Sequence, residues 1–164
     1  GASGSIGSAA VQLARHFGAE VTAVSSSAGL QVVRSLGAER VIDYETEDFT
    51  RDGQTYDAVF DTVGKSSVRR CWSLLKPGGV YLSSELGFLA QNPLLSLWRR
   101  GFLGRRVRFP VPSVSKQDVA FVKDLLESGR YRPVIDRRYP LDQIVEAFQY
   151  VETGRKIGNV VIDV

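Results

Sequence analysis

One short pattern occurs twice near the start of this chain and limits its possible folds. Phe17-Gly18-Ala19-Glu20-Val21 returns as Leu36-Gly37-Ala38-Glu39-Arg40-Val41. Each copy reads as the end of a helix, a glycine in the left-handed position that terminates it, and the first residues of a strand. Val21 to Val24 is short, β-branched and without polar alternation, as a strand covered on both faces should be. Two helix-to-strand units in succession require crossover connections, and crossovers build parallel sheets.

The remaining periodicity agrees. Ile6, Ala9, Ala10, Leu13, Ala14 and Phe17 fall on one face of a first helix ending at Gly18. Ala58-Val59-Phe60 predicts a strand, followed by a helix with Val68, Cys71, Trp72 and Leu75 on one face and Lys76-Pro77-Gly78-Gly79 as its stop. Val80 to Ser83 predicts another strand, Phe88 to Phe102 a helix around Pro93, and Val107 to Val111 a strand whose Pro110 suits a sheet edge. Ser115 with Asp118 resembles a capping box ahead of a helix whose apolar stripe is Val119, Val122 and Leu126. Arg130 to Tyr139 reads as extended. Leu141, Ile144, Val145, Phe148 and Val151 mark an amphipathic helix, and Val160 to Val164 a last strand.

At 164 residues the chain has room for one complete domain but not a second catalytic one. Glycine is 16 of 164, above the usual ~7% and without collagen periodicity, which points to tight turns or backbone approaching a ligand. The net charge of +3 suits a phosphate-bearing ligand without demanding nucleic acid. Cys71 is the lone cysteine, so there is no intramolecular disulfide or cysteine-rich zinc site, and a reducing cytoplasm is expected. The most apolar stretch, Leu86 to Gly104, carries Gln91, Asn92, Pro93, Arg99 and Arg100 and predicts no membrane span. The chain opens in mid-motif and is read as a piece of something longer.

That opening motif bears the chemistry. Gly4-Ser5-Ile6-Gly7 begins a helix with Ala2 at the place of a first glycine, an A-x-G-x-x-G variant of the dinucleotide fingerprint. A glycine without Cβ at position 4 lets a pyrophosphate approach the backbone, Gly7 lets the helix pack closely, and the helix start offers N–H groups and partial positive charge. About 20 residues on, a site for NAD carries an acid that holds the ribose hydroxyls. This chain has Ser25-Ser26-Ser27 there and no acid between Glu20 and Glu39, which favours NADP over NAD. The three serines can equally serve as a helix cap.

In order, Gly-Ala-Ser-Gly-Ser-Ile-Gly, Gly-Ala-Glu-Val-Thr-Ala-Val, Gly-Ala-Glu-Arg-Val-Ile-Asp-Tyr, Tyr-Asp-Ala-Val-Phe-Asp-Thr-Val-Gly, Leu-Lys-Pro-Gly-Gly and the closing Gly154 to Ile162 together resemble the medium-chain dehydrogenase/reductase superfamily. The likeness is to its quinone-oxidoreductase-like, alcohol-dehydrogenase-type members. The resemblance implies an α/β fold, a Rossmann-type doubly wound parallel sheet of strand order 3-2-1-4-5-6, here lacking its first strand. It implies residues 1–130 as the NAD(P)-binding domain, and residues 131–164 as a strand-helix-strand segment belonging with a missing N-terminal substrate domain. It implies an NAD(P)H-dependent oxidoreductase moving hydride between the cofactor and a quinone, enone, aldehyde or alcohol, as a homodimer through the edge strand 107–111. Carried over, Ser3, Gly4, Ser5, Ile6 and Gly7 would hold the pyrophosphate. Ser25, Ser26, Ser27 and Tyr44 would surround the adenosine 2′-phosphate end, Thr62, Val63 and Gly64 would border the adenosine and ribose, and Ser83, Ser84 and Glu85 would approach the nicotinamide. Relatives that use NADPH often place Lys or Arg just after the serines. This chain has Ala28 and Gly29, with Arg34 downstream and Arg155 or Lys156 in the tail as other cations.

Other readings are weaker. Asp43, Asp57 and Asp61 at strand ends suit turn caps better than acid–base roles, and no catalytic residue is named. His16 has no second histidine to share a metal. Arg99, Arg100, Arg105, Arg106 and Arg108 read as a solvated rim or dimer surface rather than a nucleic-acid patch. A Rossmann-like methyltransferase normally has an acid before its glycine loop and another closing its second strand, and neither appears here. A non-catalytic nucleotide-binding module would keep the same fold.

Overall fold

The computed structural model describes residues 1–84, 104–110 and 113–164. The expected helix over Phe88–Phe102, Glu85 and Val111 lie outside them. In chain order the elements are α1 (Ser5–His16), β1 (Thr22–Ser25), α2 (Leu30–Ser35), β2 (Arg40–Asp43), β3 (Tyr56–Asp61), α3 (Val68–Cys71), β4 (Leu75–Ser83), β5 (Arg106–Arg108), α4 (Lys116–Glu127), β6 (Ile135–Pro140), α5 (Ile144–Glu152) and β7 (Asn159–Asp163). The fold is α/β, and its strand pairs are parallel: β1 with β2, β3 with β4, β4 with β5, and β6 with β7. The residues fall into two compact units, Gly1–Glu47 with Val114–Val164, and Asp48–Ser113.

The first unit holds β1-β2 and β6-β7. Its repeated helix ends are built as the glycines predict: Gly18 takes φ 80° and Gly37 φ 100°, conformations a side chain resists. Val11, Ala23, Val33 and Ala38 form its buried core, with Ala2, Val21, Leu36 and Val41 packed around them. The face of α1 differs from expectation. Gly7, Ser8, Val11 and Gln12 are the buried residues, whereas Ile6 is 49% exposed and Phe17 is exposed as well. Small residues turn inward because α1 lies too close to the preceding turn for larger ones. A Cβ on Gly7 would stand 2.1 Å from the Gly1 carbonyl oxygen. Buried Gln12 ties α1 to the chain beyond α4, donating through Nε2 to the Arg132 carbonyl (3.0 Å) and accepting from the Arg132 N–H (2.8 Å).

The capping box at Ser115 is present in both directions: the Ser115 hydroxyl accepts from Asp118 N–H (3.1 Å), and the Asp118 carboxylate accepts from Ser115 N–H (2.8 Å). The expected stripe of Val119, Val122 and Leu126 is exposed instead, and the residue α4 buries is Leu125. The α5 stripe lies open too, with Leu141, Ile144, Val145 and Phe148 exposed and Ala147 buried.

The second unit is the sheet β3-β4-β5 around buried Cys71, Leu75 and Tyr81. Its helix is shorter than expected. Only Val68–Cys71 is α-helical, Trp72–Leu74 tightens to a 3-10 turn, and Leu75 already belongs to β4, opposite Tyr56. Lys76-Pro77-Gly78-Gly79, expected as a helix stop, is therefore strand. Gly79 explains part of this, since a Cβ there would lie 2.9 Å from the Lys76 carbonyl oxygen and 3.2 Å from that of Tyr56. The strand expected over Val107–Val111 is Arg106–Arg108 instead, with Phe109 and Pro110 outside it, and among the described residues it pairs with Val80–Leu82. Two cations of the arginine run serve this unit: Arg105 donates to the Leu75 carbonyl (2.8 Å) and covers Trp72, and Arg106 donates to the Gly78 carbonyl (3.3 Å).

Candidate cofactor site

In the first unit the glycine turn leads into α1 with Gly4 as N-cap, at φ −76° and ψ −179°. No acidic residue competes for the N–H groups of the first turn, and Arg15 in the last turn complements the helix dipole. The two glycines play separate parts. A Cβ on Gly7 would collide with backbone, whereas one on Gly4 would meet only the Gly1 carbonyl oxygen at 3.5 Å, an ordinary contact. The protein itself leaves the space beside Gly4 open, a cradle of the kind a pyrophosphate needs.

The tail closes on this turn. Gly4 and Gly158 form a parallel bridge, and Gly158 N–H donates to the Ser3 carbonyl (2.7 Å). Ser5 Oγ donates to the Gly158 carbonyl (2.8 Å), and the Lys156 ammonium donates to Ser5 Oγ and to that same carbonyl, each at 2.7 Å. A cation is thus fixed at the start of α1. Behind it, Asp136 Oδ2 accepts from Tyr150 OH (2.7 Å) and Ile157 N–H (2.9 Å), which anchors the Lys156 turn.

The serines end β1. Ser25, expected as a direct contact, is fully buried, and its Oγ has no hydrogen-bond partner among the described residues. It lies under Ser3 and Gly29: a Cβ on Gly29 would be 2.3 Å from Ser25 Oγ and 2.5 Å from Ser3 Cβ. Ser26 is half-buried and Ser27 exposed. Ser27 Oγ donates to Asp43 Oδ2 (2.5 Å) and Ser27 N–H to Glu45 Oε2 (3.0 Å). Glu45 was missed because it lies in the turn after β2, not in the segment after the glycines, and Asp43 was read only as a turn cap. The signal was the parallel repeat, which sets Ser25 opposite Asp43. Tyr44 is 54% exposed, so it is no core aromatic.

In the second unit Asp61 organises the turn after β3. Its Oδ1 accepts from Val63 N–H (3.1 Å) and Gly64 N–H (2.9 Å), and its Oδ2 from Ser66 N–H and Tyr81 OH, both at 3.1 Å. Burial foremost, and then the Asp61 charge, push the Tyr81 phenol far above its ordinary range. Thr62, Val63 and Gly64 sit on this turn, with Gly64 at φ 73°. Ser83 and Ser84 end the adjacent β4. Ser83 is buried, and Ser84 donates its N–H to the Asp61 carbonyl (3.2 Å) while its buried Oγ has no partner among the described residues.

Asp43 and Asp61 brace turns as expected, whereas Asp57 lies within β3 and makes an ion pair instead. Asp43 also accepts from Glu45 N–H (3.0 Å), and Asp57 pairs with Lys76 (2.8 Å), which holds its carboxyl below the usual range. His16 packs edge-on to Phe17 (5.1 Å) and near Phe121 (5.7 Å). A groove of about 390 Å³ beside Gln12, Arg15 and Arg132 lies at the other end of α1 from the glycine turn. Among the described residues no cluster of His, Cys, Asp or Glu could hold a metal ion, and no helix is long and apolar enough to cross a membrane.

Parallel strands, crossover helices and a glycine turn at a helix start define an α/β chain of the Rossmann type. The family model for zinc-binding dehydrogenases matches residues 36–162, and the chain belongs to that family, among the quinone-oxidoreductase-like medium-chain dehydrogenases/reductases. It is 39% identical to a 2-methylene-furan-3-one reductase of Solanum lycopersicum, over 99% of this chain and 38% of that protein. It is 34% identical to a chloroplastic NADPH-dependent alkenal/one oxidoreductase of Arabidopsis thaliana (97% and 38%), and 31% to the mitochondrial NAD(P)H oxidoreductase RTN4IP1 of Mus musculus (100% and 46%). The quinone oxidoreductase of Coxiella burnetii superposes with TM-score 0.86 at 26% identity, over 99% of this chain and 50% of that one. The chain thus spans less than half the length of these curated relatives.

Proposed function

We propose that this chain is the cofactor-binding part of a nicotinamide-dependent reductase acting on an activated double bond, a quinone or a related carbonyl compound. The observation that carries the reading is the open cradle at Gly4 with the Lys156 ammonium held on Ser5. Backbone N–H groups at the start of α1 and this cation together suit a diphosphate. Ser3 to Gly7 would hold the pyrophosphate. Ser26, Ser27 and Tyr44 would face the adenosine ribose with Ser25 supporting them from beneath, Thr62 to Gly64 would border the adenosine, and Ser83 to Glu85 would approach the nicotinamide. The bound cofactor supplies the hydride, and the protein supplies position and electrostatics.

NADPH is the proposed cofactor, with NADH usable. The alkenal/one oxidoreductase named above supports NADPH, and no cation follows the serines to enforce it. The substrate class rests on relatives named as enone, alkenal and quinone enzymes. Residues 1–130 form the nucleotide domain in this reading, and 131–164 pack with a substrate domain. Support for that packing is the open apolar stripe of α5, where Phe148 is 64% exposed. A homodimer through the edge at β5, and a reducing compartment such as the cytoplasm for the buried Cys71 thiol, complete the proposal.

The experiment titrates the full-length protein with NADPH and NADH by nicotinamide fluorescence. It then follows NADPH oxidation with a conjugated enone and a quinone, with light scattering for assembly. Saturable binding and turnover support the reading. Binding without turnover on either substrate class points to the non-catalytic nucleotide module, and binding of neither cofactor overturns the whole proposal.

A further inference from the structure

We propose that Glu45 limits this protein's preference for NADPH over NADH, holding NADPH binding down at the adenosine end of the site. The inference rests on the cofactor reading above and goes beyond it, because it concerns a residue that reading left out.

A 2′-phosphate at the end of β1 would look to Ser27 for donors, and both of them are engaged by carboxylates. Ser27 Oγ donates to Asp43 Oδ2 at 2.5 Å, and Ser27 N–H donates to Glu45 Oε2 at 3.0 Å. An anion of the protein's own therefore stands where the cofactor's anion would stand. The neighbouring positions offer no cation to offset it. Ala28 and Gly29 follow the serines, and Gly29 is so closely packed on Ser25 and Ser3 that even a Cβ would come within 2.3 Å.

The two carboxylates differ in how firmly they are held. Asp43 is nearly buried, at 9% exposure, and its Oδ1 accepts the Glu45 N–H while its carbonyl accepts from Thr46 and Glu47 N–H. It builds the turn. Glu45 is exposed and reaches Ser27 on a flexible arm. Ribose hydroxyls of NADH are donors, and a carboxylate on a mobile arm accepts them. The 2′-phosphate of NADPH is a like charge, and it must displace Glu45 from the Ser27 N–H before it can use that donor.

The test measures Kd for NADPH and for NADH on the full-length wild type and its Glu45→Gln variant, with Glu47→Gln as a control of equal charge two residues away. The expected result is that Glu45→Gln raises the ratio of NADPH to NADH affinity about tenfold, the change a 1.4 kcal/mol contact makes. Glu47→Gln leaves the ratio within about twofold of wild type. A structural role for Glu45 would weaken both cofactors together and leave the ratio in place, and that outcome overturns the inference, as does a ratio that moves equally in both variants. Wild type that binds neither cofactor overturns the cofactor reading itself, and this inference with it.

Discussion

Replacing Gly7 and Gly4 by alanine, one at a time, separates packing from ligand approach within four residues. At Gly7 the new methyl would lie 2.1 Å from the Gly1 carbonyl oxygen and 2.7 Å from Ala2 Cα, against an ordinary contact of 3.4 Å or more. These are backbone atoms, so α1 or the turn must shift. Overpacking of this kind costs about 1–3 kcal/mol, and the better helix propensity of alanine returns about 0.5–1 kcal/mol. The net loss is about 0–2.5 kcal/mol and centres near 1 kcal/mol, which for a chain of this size lowers Tm by about 2–4 °C at roughly 2–4 °C per kcal/mol. At Gly4 the methyl meets one atom at 3.5 Å, and the backbone angles suit any L residue. Only the weaker N-cap counts against it, a few tenths to about 1 kcal/mol. Differential scanning fluorimetry should therefore show a clear drop for Gly7→Ala and a small one for Gly4→Ala. Titration with NADPH should show Gly4→Ala losing tenfold or more in affinity, since its methyl fills the cradle. A Gly7→Ala protein with wild-type Tm would refute the packing argument, and a Gly4→Ala protein with wild-type affinity would refute the assignment of Gly4 to ligand approach.

Two further expectations concern α4. Leu125→Ala should cost about 2–5 kcal/mol by denaturant unfolding, because Leu125 is 1% exposed, whereas Val119→Ala at 58% exposure should stay within about 0.5 kcal/mol; equal effects would contradict the buried face described here. The Asp118 carboxyl is held below its ordinary pKa, first by the Ser115 N–H and then by the Ser115 hydroxyl. Its contribution to the folded state is therefore present above the ordinary aspartate pKa and is lost as pH falls through the lowered value; an NMR titration giving Asp118 an unshifted pKa would count against the cap.

What could be read in advance was local. Gly18, Gly37 and Gly129 end their helices at positive φ because the cap needs nothing beyond its own residues. Ser115 and Asp118 likewise satisfy each other within one turn. The misreadings have distant causes. Lys76-Pro77-Gly78-Gly79 has every mark of a breaker, yet β3 recruits it into a strand through Leu75 opposite Tyr56 and the close approach at Gly79. The apolar positions of α1 and α4 gave their periods correctly but the wrong face, because Gly7 and Leu125 face partners the helix sequence does not contain. At the site, the glycine turn was legible and Lys156 was one of several candidate cations. The carboxylates on Ser27 became visible only once β2 was set beside β1.

The bridge from Gly4 to Gly158 has a meaning for biosynthesis. The ribosome makes Gly4 well before Gly158. At about 5–20 residues per second, the interval between Ser5 and Lys156 is on the order of 8–30 s. For that time the start of α1 is without the ammonium that will stand on it and without the strand that will hold it. The proposed phosphate site is thus completed only when synthesis reaches Lys156, and a chain that stops short of that residue has an intact glycine motif and an unfinished site. On the cofactor reading, firm retention on an immobilised nucleotide then reports that a molecule has been translated past Gly158.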